Sequence, residues 1–275
     1  MLTGSHSKED AILNKPILFP AVLDPFRQSI ESSITPFIKI RTKAGNPHVY
    51  DSKFGGYPYL PKTFAYPEDL NGHPMRLLAQ YRLDQIPALP DMPTEGMLQF
   101  FISQDDVYGI NFDNPTKPDH FRVIYHSTVT EDLDQLVNDF SFLSSLENDE
   151  ESSFPIDQEY TLLFERTEEV VGLSDFRFER LPILFDEDKE EEIWETWESS
   201  FSNSGHKIGG YAAFTQTDPR EDEEFEEFTT LLLQIDSEGN DGIMWGDMGV
   251  ANFFIRPEDL KKRDFSRVLY NWDCC

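Results

Sequence analysis

Cysteine is nearly absent from this sequence: Cys274 and Cys275 stand side by side at the C-terminal end. No disulfide framework is possible, and the usage fits a reducing cytoplasm. No apolar run approaches the length that crosses a bilayer, and the first residues lack a basic start followed by an apolar block. Neither a membrane span nor a secretory leader is therefore expected. Positive charge is also scarce, with 23 Lys and Arg against 52 Asp and Glu and a net charge of −29. Such a surface repels nucleic acid and anionic membranes, whose binding needs cationic contacts. If it attracts anything specific, the fitting partner is a basic protein. Catalytic signatures are missing too. There is no HExxH, paired Cys/His, G-x-S-x-G, phosphate-binding or dinucleotide-binding word, and His48, His73, His120, His126 and His206 have no metal-ligand spacing. No cofactor or metal is expected, and no reaction is indicated.

What is present is a folded chain of 275 residues with 23 Phe, long enough to bury a core without staples. It also repeats itself. Gly55-Gly56-Tyr57 returns as Gly209-Gly210-Tyr211, and Leu77-Leu78-Ala79-Gln80 as Leu231-Leu232-Leu233-Gln234, both 154 residues on. Gly96 to Ile102 returns as Gly249 to Ile255, 153 residues on, and Arg122-Val123-Ile124-Tyr125 as Arg267-Val268-Leu269-Tyr270, 145 on. Words this far apart and in the same order point to a duplicated half rather than a short solenoid unit. The doubled aromatics Phe100-Phe101 and Phe253-Phe254 cannot all face one way from a strand. One of each pair is expected in a shared core, the other against a helix or the opposite half.

Apolar periodicity places helices over Pro20–Ser33, Thr130–Leu146 and Asp186–Phe201, and strands over Phe37–Arg41, Leu77–Leu83, Met97–Ser103, Phe121–His126, Tyr160–Phe164 and Arg267–Trp272. Lys53–Pro61, with prolines at 58 and 61, reads as an extended, kinked path. The expected fold is α+β and mainly β: one domain over 1–275, with a first half at about 35–130, a connecting helix at 130–146, a second half at about 156–275, and a few peripheral helices.

The words Lys53-Phe54-Gly55-Gly56-Tyr57-Pro58-Tyr59-Leu60-Pro61, Tyr66-Pro67, Leu78-Ala79-Gln80-Tyr81, Gly246-Asp247-Met248-Gly249 and Phe253-Phe254-Ile255 resemble the YwqG-like family of bacterial proteins. Tyr66 stands where that family usually has Trp, and Tyr81 where it usually has Ile. The resemblance covers about residues 35 to 272. It implies a mainly-β, roll-like fold with an internal duplication, and it carries over no catalytic residues.

Two sets of residues merit functional scrutiny. Gln80, Gln234, Gln99 and Asn252 sit at matching strand positions and would either line a polar groove between the halves or satisfy buried loop backbone. Arg122 and Arg267 would hold a ligand carboxylate or pair with a buried acid, and Asp247, between Gly246 and Gly249, would join the groove as a nucleophile or base or be an ordinary turn Asp. The second set is the acidic block Asp218–Glu227. There Glu223 and Glu224, with Phe225 and Phe228, would either dock a basic partner or form a solvated face. The function expected first is a non-enzymatic cytoplasmic binding protein, immunity-like. The alternative is a binder or enzyme acting on an unidentified small molecule in the groove.

Overall fold

Strand-forming segments dominate: β1 (Thr35–Ala44), β2 (Lys53–Phe54), β3 (Arg76–Arg82), β4 (Met97–Ile102), β5 (Phe121–His126), β6 (Tyr160–Glu169), β7 (Lys207–Gly209), β8 (Thr230–Asp236), β9 (Val250–Ile255) and β10 (Leu269–Asp273). The structure is a computed structural model that describes residues 17–147, 154–183, 189–238 and 242–275. All ten strands join one antiparallel sheet in the order β10-β9-β8-β7-β1-β6-β2-β3-β4-β5. The sheet curls until its two edges approach, forming a nearly closed barrel. Phe121 of β5 and Tyr270 of β10 bring their rings to 5.3 Å, and Tyr270 N–H donates to Pro115 O.

The sheet reads the same from either end toward its centre. In one flank Lys53 pairs with Gln80 and Gln80 with Gln99, and in the other Lys207 pairs with Gln234 and Gln234 with Asn252. A register shift falls between Leu77 and Ala79 in β3 and between Leu231 and Leu233 in β8. The long pair β1/β6 lies in the middle, full length against full length. Its alternation is plain, with Ile38 and Ile40 inside and Lys39 and Arg41 exposed.

β4 and β9 are buried on both faces. Phe100 and Phe253 point into the barrel and meet at 5.0 Å, with Tyr270 stacked on Phe253 at 4.4 Å. Their neighbours face outward under loops: Phe101 packs with Met75 and Leu77, and Phe254 with Ala212, Phe228 and Leu231. One Phe of each doublet enters the shared core as expected, but the other is covered by loops of its own flank and not by a helix or the opposite half. The largest apolar cluster draws on both flanks, from Leu78 and Phe100 to Leu232 and Phe253.

Helices are few: α1 (Arg27–Ser32, preceded by a 3-10 turn at Ala21–Phe26), α2 (Ser144–Glu147), α3 (Glu190–Ser200) and α4 (Pro257–Lys262). α3 opens on Glu190, Glu191 and Glu192, whose charge suits a helix N-terminus, and it buries Ile193 and Trp197 beside Leu23 and Ile30. The expected start of α3 at Asp186 lies outside the described residues. No helix among the described residues is long and apolar enough to cross a membrane.

The expected helix over 130–146 does not form as one element. It breaks into 3-10 turns at Leu133–Gln135 and Ser141–Leu143 before α2. Short polar side chains capture the backbone instead: Thr130 Oγ1 accepts from Asp132 N, Asp132 Oδ1 from Asp134 N, and Asp139 Oδ1 from Ser141 N. Three of the spaced apolar residues are still buried, Leu136 beside Tyr59, and Phe140 and Leu143 beside Leu60, while Leu133 is exposed.

Candidate functional site

Gly55-Gly56 and Gly209-Gly210 all have positive φ, between 68° and 76°, which glycine adopts without strain. Each bend closes on a carboxylate. A Cβ at Gly56 would overlap Glu159 Oε1, and one at Gly210 would overlap Glu169 Oε1. Through these gaps Glu159 accepts from Tyr57 N at 3.3 Å and from Lys53 Nζ at 3.3 Å. Glu169 accepts from Tyr211 N at 2.7 Å and from Lys207 Nζ at 2.8 Å. Both lysines are buried, which pushes each ammonium below its ordinary value, while burial raises Glu169. The acids flank β6, Glu159 just before its first residue and Glu169 as its last. The glycines thus admit a structural ion pair at each end, and a helix N-terminus or phosphate cradle is not what they form.

The amide set is consumed by the same bends. Gln80 Oε1 accepts from Tyr59 N, and its Nε2 donates to Val49 O and Asp51 O at 2.8 and 2.7 Å. Gln234 Oε1 accepts from Ala213 N, and its Nε2 donates to Asn203 O and Gly205 O. Gln99 Nε2 donates to Tyr59 O and Asn252 Nδ2 to Ala213 O. All four residues are sealed from solvent and satisfy loop backbone, the second of the two roles the sequence allowed.

The two arginines are not equivalent. Phe101 pairs with Arg122, whereas Phe254 pairs with Leu269, so the repeated Arg-Val word is two residues out of register. Arg122 donates to Glu68 O, and Arg267 is exposed with its guanidinium 5.4 Å from the Phe228 ring. Asp247 is exposed in the Gly246–Gly249 turn. The structure does not gather these three with the amides into one groove.

A buried charged group beside β8 and β9 escaped the sequence reading. Arg220, fully buried, bonds Asp218 Oδ2 at 2.6 Å and Asp175 Oδ2 at 2.9 Å, with its guanidinium 4.0 Å over Phe254. Arg177 adds a two-pronged contact to Asp175 at 2.7 Å on each oxygen. Burial alone would raise the Asp175 carboxyl, but the Arg177 hydrogen bonds and the Arg220 charge hold it well below the usual range. With both acids spent on arginine and backbone, the cluster is a clamp.

That clamp fixes the start of the acidic block. Asp218 caps the 3-10 turn Pro219–Glu221 by accepting from Arg220 N, and Phe228 follows the last residue of the block. Phe228 is 1% exposed and belongs to an apolar cluster, so the expectation that it lies on a docking surface is corrected; Phe225 is half-buried against it. Between these anchors Glu221, Asp222, Glu223, Glu224, Glu226 and Glu227 are exposed. Arg180 pairs with Glu226 at 3.3 Å and Arg256 approaches Glu227 at 3.7 Å. Among the described residues, no cation lies within ion-pair distance of the other four acids.

Residues 52–274 match the family described as Domain of unknown function (DUF1963), and the chain belongs to that family. No curated protein matches the chain.

Proposed function

We propose that this member of the DUF1963 family is a non-enzymatic binding protein of the cytoplasm, which engages a basic protein through residues 221–227 in an immunity-like role. One observation carries the reading: a run of exposed acids, four of them without a cationic partner among the described residues, is presented on a segment anchored at both ends by the buried Arg220 and Phe228. A ridge whose backbone is already fixed loses little entropy on docking, and its field steers a cationic partner. The matching registers of the two flanks support reading them as copies of one ancestral half, folded as a single YwqG-like domain around the β1/β6 pair.

The test is a pull-down at low and high salt with the wild-type chain and with Glu223→Lys/Glu224→Lys. The reading expects a basic protein held by wild type at low salt, released at high salt and not held by the variant. Identical profiles for the two chains overturn it. The alternative, a small-molecule site in a groove lined by Gln80, Gln99, Gln234, Asn252, Arg122, Arg267 and Asp247, has less support, since the four amides already bond loop backbone.

A further inference from the structure

His126 ends β5, and the register gives its counterpart in the other flank: His126 pairs with Met97 as Asp273 pairs with Val250. The two residues do different work. Asp273 is a loop cap, accepting Thr215 N on Oδ1 at 3.1 Å and Gln216 N on Oδ2 at 3.0 Å. The position matching Thr215 is Pro61, which has no N–H to offer. His126 is therefore released from the capping role, yet it is held in place. Gln99 Nε2 donates to two carbonyl oxygens, Tyr59 O and Gln80 Oε1, which fixes that amide's orientation and leaves Gln99 Oε1 as an acceptor. His126 Nε2, 2.9 Å away, must donate to it, so Nδ1 carries the lone pair. Nδ1 has no hydrogen-bond partner among the described residues. Burial lowers the His126 pKa to about 4, so the ring is neutral at pH 7.

His126 is 9% exposed and lines an open cavity of about 430 Å³. Around it stand Ser127, Thr128, Thr130 and Gln135, with the rings of Phe64 and Tyr125. Among the described residues no Asp, Glu, Lys or Arg lines this cavity, although the chain carries 75 such residues. In the other flank a cavity of about 240 Å³ touches Ala213 and Thr215, the counterparts of Tyr59 and Pro61, but not Asp273, and it is lined by Glu198 and Asp236. Phe64 is 42% exposed, with its ring 4.9 Å from the His126 ring.

We propose that the cavity beside His126 binds a neutral, hydroxyl-rich small molecule of the sugar or polyol class. A ligand hydroxyl donates to Nδ1, the Ser and Thr hydroxyls and the Gln135 amide serve the others, and the Phe64 ring packs against ligand C–H groups. An ionised ligand would enter without a counter-charge, and an anion would also meet the field of the whole chain. The site uses none of residues 221–228, so it stands or falls apart from the acidic ridge.

Calorimetric titration and saturation-transfer NMR with glucose, galactose, ribose and myo-inositol test it, with glucuronate and glucosamine as charged comparators. At least one neutral probe should bind, more tightly than either charged one. His126→Phe and Phe64→Ala should each weaken that binding by about tenfold or more, the loss of one good ligand contact. Thermal unfolding checks that each variant is folded; if His126→Phe is not, Phe64→Ala, at an exposed position, decides alone. No binding by any neutral probe, equal binding of a charged one, or binding unchanged in the folded variants overturns the proposal.

Discussion

Lys207 Nζ lies 2.8 Å from Glu169 Oε2, while Glu169 Oε1 accepts the backbone N–H of Tyr211 at 2.7 Å. One carboxylate thus holds a buried strand to the Gly-Gly bend that follows it. Removing one partner of such a pair strands the other charge in the interior. Lys207→Ala is expected to cost about 3–5 kcal/mol of unfolding free energy, the usual penalty for breaking a buried pair. Lys53→Ala should cost roughly half as much, because Glu159 is 24% exposed and water can re-solvate it. Urea unfolding of the two variants gives the ratio; equal losses would mean that solvent access at the glutamate is not what separates them.

Gly210→Ala tests the same bend from the backbone side. φ is +76°, and the added Cβ meets both the Glu169 carboxylate and Phe37 Cβ. Left-handed strain of about 1 kcal/mol should add to a displaced ion pair, for a total of roughly 3 kcal/mol. Gly72→Ala is the control: its φ is +79° but no atom lies within 4 Å of the new Cβ, so only the strain of about 1 kcal/mol should appear.

The sequence revealed the strands and the bends through local chemistry. Glycine pairs, strand-end glutamines and Phe doublets each constrain their own few residues, and the register bears that out in both flanks. Even the lysines were readable, since Lys53 and Lys207 each precede a Gly-Gly by two positions. Their partners were not: Glu159, just before β6, and Glu169, at its end, lie more than a hundred residues from Lys53 and 38 from Lys207. The Arg122 and Arg267 words look alike yet sit two residues apart in register, because a short match cannot count residues in the loop before it. His126 gave no local signal at all. Its significance comes from Gln99 on one side and from Pro61 replacing a donor on the other, and only the folded sheet brings these together.

Acid should weaken the fold through His126. Its folded pKa of about 4 lies below the ordinary 6.5, so the unfolded chain binds the proton first. The stability this ring contributes is fully present above pH 6.5 and is lost as the pH falls toward 4. A difference of this size corresponds to about 3 kcal/mol at most. In His126→Phe the slope of stability against pH over that window should flatten relative to wild type. An NMR titration should find the wild-type ring still neutral at pH 5, and a midpoint above 6 would remove the effect.

The Asp175 clamp predicts a second acid-sensitive step at lower pH, since a carboxyl held below its ordinary value stabilises the fold above that value and ceases to do so as it protonates. Asp175→Asn leaves Arg220 buried among Phe176, Phe214 and Phe254 with one acid fewer. A loss of about 3–5 kcal/mol at neutral pH is expected, with little further loss between pH 4 and 2 compared with wild type. Thermal unfolding across that range measures it.

Phe100 and Phe253 offer the sharpest test of whether the two flanks share one core. Their rings meet at 5.0 Å inside the barrel, one from β4 and the other from β9. Each Phe→Ala change should cost about 3–5 kcal/mol through the buried ring and the cavity it leaves. If the flanks are one cooperative unit, each variant unfolds in a single transition, and the double variant loses less than the sum by about 0.5–1.5 kcal/mol, the coupling of an edge-to-face pair. If they are separable, Phe253→Ala splits the transition, with tryptophan fluorescence reporting an early melt of the flank that holds Trp245 and Trp272 while far-UV ellipticity lags. Additive losses with coincident transitions would be a third result, meaning that the rings touch without depending on each other and that cooperativity is carried by the β1/β6 pair.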